Sequence, residues 1–343
     1  MIEVFRLVLF VLAVNTTTAA AQDLGQLVVP TERTDLLAGR LTISVPNQAR
    51  SEAMRRGIMA APEADSEQTR IVIDAGKQRM VLMIYELFAR TGVDFESAVR
   101  KQASDSRSNV NIQKWPLSSQ VRAIAYFPVV PTKGREANLV MGLFVVALDG
   151  NVQNLEWYVN PAAATQFDAA LNLAKAIAKT IAPGNRNLDI GGGERVLSVY
   201  SETKKVFITV PKGYVATAQR GPDFVVHHVR KVAAFGDASA SLGVYLGDHP
   251  SAQHEGFLQQ GTGILLGKKI QWYQKMINED GHRTTMTKAL VPLGPSLLGW
   301  VLPGRTDSPS YAEIFLEAAD TAASEELRNI AMTLRVGDRT MQH

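Results

Sequence analysis

The sequence predicts an α+β protein of two related units, each an antiparallel sheet covered by a C-terminal amphipathic helix. Three observations lead there. Short stretches in both halves of the 343 residues alternate apolar with polar side chains, the period of a half-buried strand. Each half closes on apolar residues at helical spacing, behind a capping residue and a proline in the first turn. Between them, Pro183-Gly184-Asn185-Arg186-Asn187 and then Gly191-Gly192-Gly193 offer many backbone states and little to bury, so a boundary is expected near residue 190.

In chain order, residues 1–21 read as a secretion signal. Arg6 gives a short basic start, partly offset by Glu3, Leu7 to Val14 an apolar stretch, and Ala19-Ala20-Ala21 a small-residue cleavage site before Gln22. That stretch is too short to span a bilayer, which takes about 20 apolar residues. The first unit, 22–188, opens with the strand Leu41 to Val45 before Pro46, followed by strands at Arg70 to Asp74 and Met80 to Phe88. Asp94 then caps a helix with Phe95, Ala98, Val99 and Gln102 at helical spacing. Strands follow at Val121 to Val130, Leu139 to Leu148 and Asn151 to Val159, with Asp149-Gly150 as a tight turn. Asn160-Pro161 starts the closing helix, with its stripe Phe167, Ala170, Leu171, Ala174, Ile177, Ala178 and Ile181.

The second unit, 194–343, opens with Val206 to Val210 before Pro211. Strands are expected at Phe224 to Val232, Ser241 to Leu246, Gly263 to Lys275, Arg283 to Leu293 and Leu297 to Leu302. Ser308-Pro309 should start the second closing helix, with Tyr311, Ile314, Phe315, Ala318 and Ala322 as its buried stripe.

This order of Val-Pro after the first strand, a meander with an inserted helix, an aromatic-bearing last strand and a terminal amphipathic helix resembles the PsbP-like fold. Tandem units of that kind on an exported chain resemble the periplasmic immunity proteins that block toxins of type VI secretion. The resemblance is a pattern of elements and brings no functional residue with it. It implies a protein that sequesters a partner protein in the periplasm.

Composition narrows the chemistry. No cysteine is present, so thiolate metal sites, cysteine nucleophiles and disulfide staples are excluded. The formal charge is only +3, with Lys and Arg scattered in pairs such as Lys204-Lys205 and Lys268-Lys269. The nearest basic-aromatic run, Lys268 to Tyr273, also fits a strand with one wet face, and no nucleic-acid partner is expected. Gly261 to Gly267 runs into strand-like alternation and opens no helix, so it is not read as a phosphate loop. Gly294-Pro295-Ser296 has no nucleophile-elbow spacing, and no serine triad can be nominated.

Five of the six histidines lie between His227 and His282. His249, His254 and Glu255, joined by His227 or His228 from a neighbouring strand, are candidate zinc ligands with Glu255 as base of a metal-dependent hydrolase. The spacing of five from His249 to His254 and the intervening Pro250 favour a loop without metal. Trp157, Trp272 and Trp300 fall in predicted strands and read as core. Trp115, before Pro116 in a polar connection, is the candidate partner-binding anchor. The sequence therefore favours an exported, non-enzymatic binding protein, periplasmic or secreted, with no cofactor and a protein partner in the cell envelope.

Overall fold

A computed structural model describes residues 23–52, 68–106, 110–118, 121–128, 138–146, 150–160, 167–197, 204–220, 224–237, 240–251, 256–279, 282–293 and 310–338. The leader at 1–21, His254, Glu255, Ser308-Pro309 and the strand expected at Leu297 to Leu302 with Trp300 lie outside the described residues.

The first half contributes β1 (Thr34–Leu36), β2 (Leu41–Ile43), β3 (Ala49–Glu52), β4 (Gln68–Ala75) and β5 (Gln78–Arg90). Helix α1 (Phe95–Ser106) follows, then β6 (Val110–Ser118), β7 (Val121–Pro128), β8 (Asn138–Val146), β9 (Asn151–Val159), α2 (Phe167–Ala178) and β10 (Ala182–Pro183). The second half contributes β11 (Gly193–Leu197), β12 (Lys204–Val210), β13 (Tyr214–Arg220), β14 (Phe224–Lys231), β15 (Ala233–Ala234) and β16 (Ser241–Gly247). It ends with β17 (Leu258–Leu265), β18 (Lys268–Glu279), β19 (His282–Pro292), β20 (Tyr311–Ala318), α3 (Thr321–Ala331) and β21 (Arg335–Asp338).

The expected α+β class is overturned: strand makes up 59% of the described residues against 17% helix, in several antiparallel sheets. One large sheet has the order β3-β4-β5-β9-β8-β7-β6 with β15 beside β5, and the other β13-β14-β16-β20-β19-β18-β17. Both follow one path, the last strand inserting between the third and the sixth. Two small sheets, β1-β2-β10 and β11-β12-β21, complete the set.

The most consequential correction is β20. Tyr311, Ile314, Phe315 and Ala318 were expected on one helical face, but Ala312, Ile314, Leu316 and Ala318 are buried on one side of a strand. A stretch this short, with six of its eight side chains apolar or aromatic, satisfies both periods. Its position between β16 and β19 decides for strand, because both sides of its backbone are hydrogen-bonded there. The helix begins only at Thr321, where the Asp320 carboxylate accepts the Ala323 N–H at 2.8 Å. A second correction splits the strand expected at Gly263 to Lys275. Leu266 and Gly267 both have positive φ, 50° and 75°, and Leu265 pairs with Lys268, which makes a two-residue hairpin turn.

Alternation also assigns the cores. The inward faces of β4, β5, β8 and β9 place Ile71, Ile73, Met80, Leu82, Leu143 and Trp157 against Leu173, Ala174 and Ile177 of α2. In the second large sheet Leu242, Val244, Trp272, Ile314 and Leu316 meet Leu327, Ile330 and Ala331 of α3. On the opposite side of the first sheet, α1 lays Val99 and Ala103 on Ile124, Phe144 and Val152.

The halves are joined by more than the connecting chain. β15 pairs in parallel with Ala89–Arg90 at the end of β5, and the Phe235 N–H donates to the Arg90 carbonyl at 2.7 Å. The Phe235 ring then fills the α1 side of the first sheet, with ring centroids 5.4 Å from Phe95 and 5.1 Å from Phe144. Nearby, a bulge between Glu86 and Ala89 gives Phe88 a φ of 50°, a conformation costing about 1 kcal/mol or more. Phe88 packs with Leu188 and Val215, under the Arg230 guanidinium 4.9 Å away.

Candidate interaction surfaces

Trp115 is in strand β6, where a loop was expected, and is half-buried against the first core. Its edge position explains how Pro116 fits: an edge strand has one side on which the missing N–H is not needed. His227 lies in the middle of β14, opposite Val244, and is buried. His228 points to the other face, edge-on to Phe315 at 6.2 Å. His249 is exposed beyond the end of β16, and its backbone N–H donates to the Tyr245 hydroxyl at 3.0 Å. Among the described residues no group of three or more His, Asp or Glu side chains is placed to hold a metal ion.

The outer face of the second large sheet is aromatic and charged. Phe315 lies across Gly243, where even a methyl group would meet the ring at 1.9 Å, and Phe224 stacks 5.5 Å from Tyr245. Two described pieces of the chain after β16, residues 248–251 and 256–257, reach this face. Glu313 accepts the Ser251 N–H at 2.8 Å, and the Lys288 ammonium sits 4.4 Å from the Phe257 ring centre.

The outer face of the first sheet has a carboxylate at its centre. Glu156 accepts from the Tyr126 hydroxyl at 2.6 Å, from the Tyr158 hydroxyl and from the Asn154 amide at 3.3 Å. Burial, reinforced by the Glu156 charge, pushes the Tyr126 hydroxyl far above the ordinary phenol range. The two hydroxyls and the Asn154 amide N–H satisfy the carboxylate and hold β9 to β7, while the Asn154 Oδ1 is buried without a partner among the described residues.

The hairpin β17–β18 is different, because three of its apolar side chains face solvent while Leu265, Ile270 and Trp272 are buried. Leu258 is 70% exposed, Ile264 60% and Met276 57%. Most of β17 is exposed, and no strand lies on its outer side among the described residues. The feature was hidden in the sequence, because the alternation that marks a buried face also occurs at the rim of a sheet.

Among the described residues no helix is long and apolar enough to cross a membrane. A cleft of 630 Å³ lies between the segment Val29 to Arg33 and the end of α2, lined by Arg33, Lys175 and Lys179.

No family model matches the chain, and no curated protein matches it. Among solved structures, the apo immunity protein TplEi of T6SS from Pseudomonas aeruginosa aligns at 12% identity over 89% of this chain and 96% of that one, with a TM-score of 0.21. The Tle4-Tli4 complex aligns at 12% identity over 88% of this chain and 96% of the matched one, with a TM-score of 0.22. Both alignments run nearly the length of the chain, but superposition this poor carries no argument about function.

Proposed function

We propose that the chain is an exported protein that binds and sequesters a partner protein in the cell envelope, as an immunity or inhibitor protein does. The observation that carries this is the β17–β18 hairpin, which exposes Leu258, Ile264 and Met276 on one rim of a large sheet. Exposed apolar side chains cost solubility, and covering each would gain about 1.5–3 kcal/mol, which a partner surface supplies. Export follows from the leader reading, and the immunity role from the tandem-unit resemblance. The common strand order of the two large sheets supports two copies of one plan.

Capture from the host envelope with the tagged full chain tests the reading. Wild type should retain a discrete partner, and Leu258→Asp with Met276→Asp should lose it while unfolding at an unchanged temperature. These positions suit the test better than Trp115, which also packs on the core. No retained partner with wild type would defeat the proposal. Stoichiometric zinc on the purified protein, lost on His249→Ala, would replace it with the hydrolase.

A further inference from the structure

The four rims of the two large sheets differ in how they meet solvent. β3 is only four residues long. β6 contains Pro116 within the strand and Lys114, whose ammonium is tied to Glu96 of α1 at 2.6 Å. β13 buries Tyr214 and Val215. Short length, proline and lysine are devices that stop an edge from pairing with another strand, and β3 and β6 carry them. β17 has no proline and no charged residue along Leu258–Leu265. Its one irregularity is a bulge between Gln259 and Gly261, next to which the Gln271 amide is bound to the Gly261 carbonyl. From Thr262 to Leu265 the strand is regular, with one side of its backbone turned away from β18.

We propose that this edge accepts an extended, acidic segment of the partner protein as an additional strand. Backbone hydrogen bonds would give the affinity. Charge selects the occupant. From Leu258 to Asn278 the sequence contains three lysines, Lys268, Lys269 and Lys275, and no acidic residue. Lys268 and Lys269 are exposed beside the turn that ends β17, and neither has an ion-pair partner among the described residues. A second copy of this chain would offer an uncharged strand with nothing to neutralise them. A strand bearing Asp or Glu near its end would. Leu258 and Ile264, on opposite faces of the sheet, would grip its alternate side chains.

This inference rests on the binding role proposed above, and its test is separable from the test of that role. The probes are three eight-residue peptides presented to the full chain: alternating valine and glutamate, alternating valine and lysine, and the glutamate peptide with alternate backbone amides N-methylated. The glutamate peptide should bind at least about tenfold tighter than the lysine peptide, and N-methylation should abolish binding. Amide exchange should slow at Thr262 to Leu265, and Lys268→Glu with Lys269→Glu should weaken binding about tenfold. Silence of all three peptides, equal binding of the two charge types, indifference to N-methylation, or protection elsewhere would each overturn the proposal. So would a dimer of this chain by sedimentation that Ile264→Lys dissolves. If the envelope capture retains a partner while the peptides fail, strand addition at β17 falls and the binding role stands. If capture yields nothing, the role itself falls.

Discussion

Arg40 and Glu86 form a 2.8 Å ion pair whose side chains are only 3% and 0% exposed, so the Arg40 guanidinium is what compensates a charge on the buried Glu86. Burial pushes the Glu86 carboxyl up, and the Arg40 charge and hydrogen bond partly oppose it. A carboxyl held above its unfolded value contributes stability that is fully present below that value and is lost as pH rises through the folded one. Arg40→Met removes the opposing charge. It should therefore destabilise by about 3–5 kcal/mol at neutral pH and by less at mildly acid pH, read from urea unfolding at the two conditions. Replacing both residues by apolar ones of similar size should recover most of that loss. None of this was legible in the sequence, where Arg40 and Glu86 stand 46 positions apart. Trp115 shows the converse. Its neighbour Pro116 suggested a loop, because a proline lacks the ladder N–H, and only the position of β6 at a rim resolves the conflict.

At the scale of elements, alternation located several strands that have one dry and one wet side, but β6 and β13 were passed over. Lys204–Val210, Phe224–Lys231 and Ser241–Gly247 form where Val206 to Val210, Phe224 to Val232 and Ser241 to Leu246 were expected. α2 likewise follows its stripe, over twelve residues at helical spacing. Length alone does not decide, because the stripe from Tyr311 to Ala322 is as long, and there pairing with β16 and β19 makes Tyr311–Ala318 a strand. The acceptor that does start the helix is Asp320, so Asp320→Ala should cost about 1 kcal/mol in denaturant unfolding, with loss of exchange protection over the first turn of α3. The β17 rim was illegible for a different cause. Exposure of Leu258 and Ile264 depends on which strand ends the sheet, and strand order is set by pairings between residues far apart in sequence.

Across the whole molecule, the two halves share an aromatic side chain as well as a covalent connection. Phe235 belongs to the second half by sequence and to the space beneath α1 by packing. Phe235→Ala should cost about 3–5 kcal/mol, the usual range for an emptied aromatic site. Hydrogen exchange should rise in α1, Phe95–Ser106, and stay unchanged in α3. Equal loosening of both helices would show that the halves melt as one body and would remove Phe235 as a local plug. Synthesis gives this arrangement a timetable. A nascent chain that has reached only residue 192 has every strand of its first large sheet except the two residues of β15, yet leaves a hollow lined by Phe95 and Phe144. On a chain exported as proposed, some forty further residues must follow across the membrane before the hollow closes. Until then the half-made chain carries a greasy gap of the kind that chaperones hold, and its assembly from the amino terminus onward waits on one ring supplied from downstream.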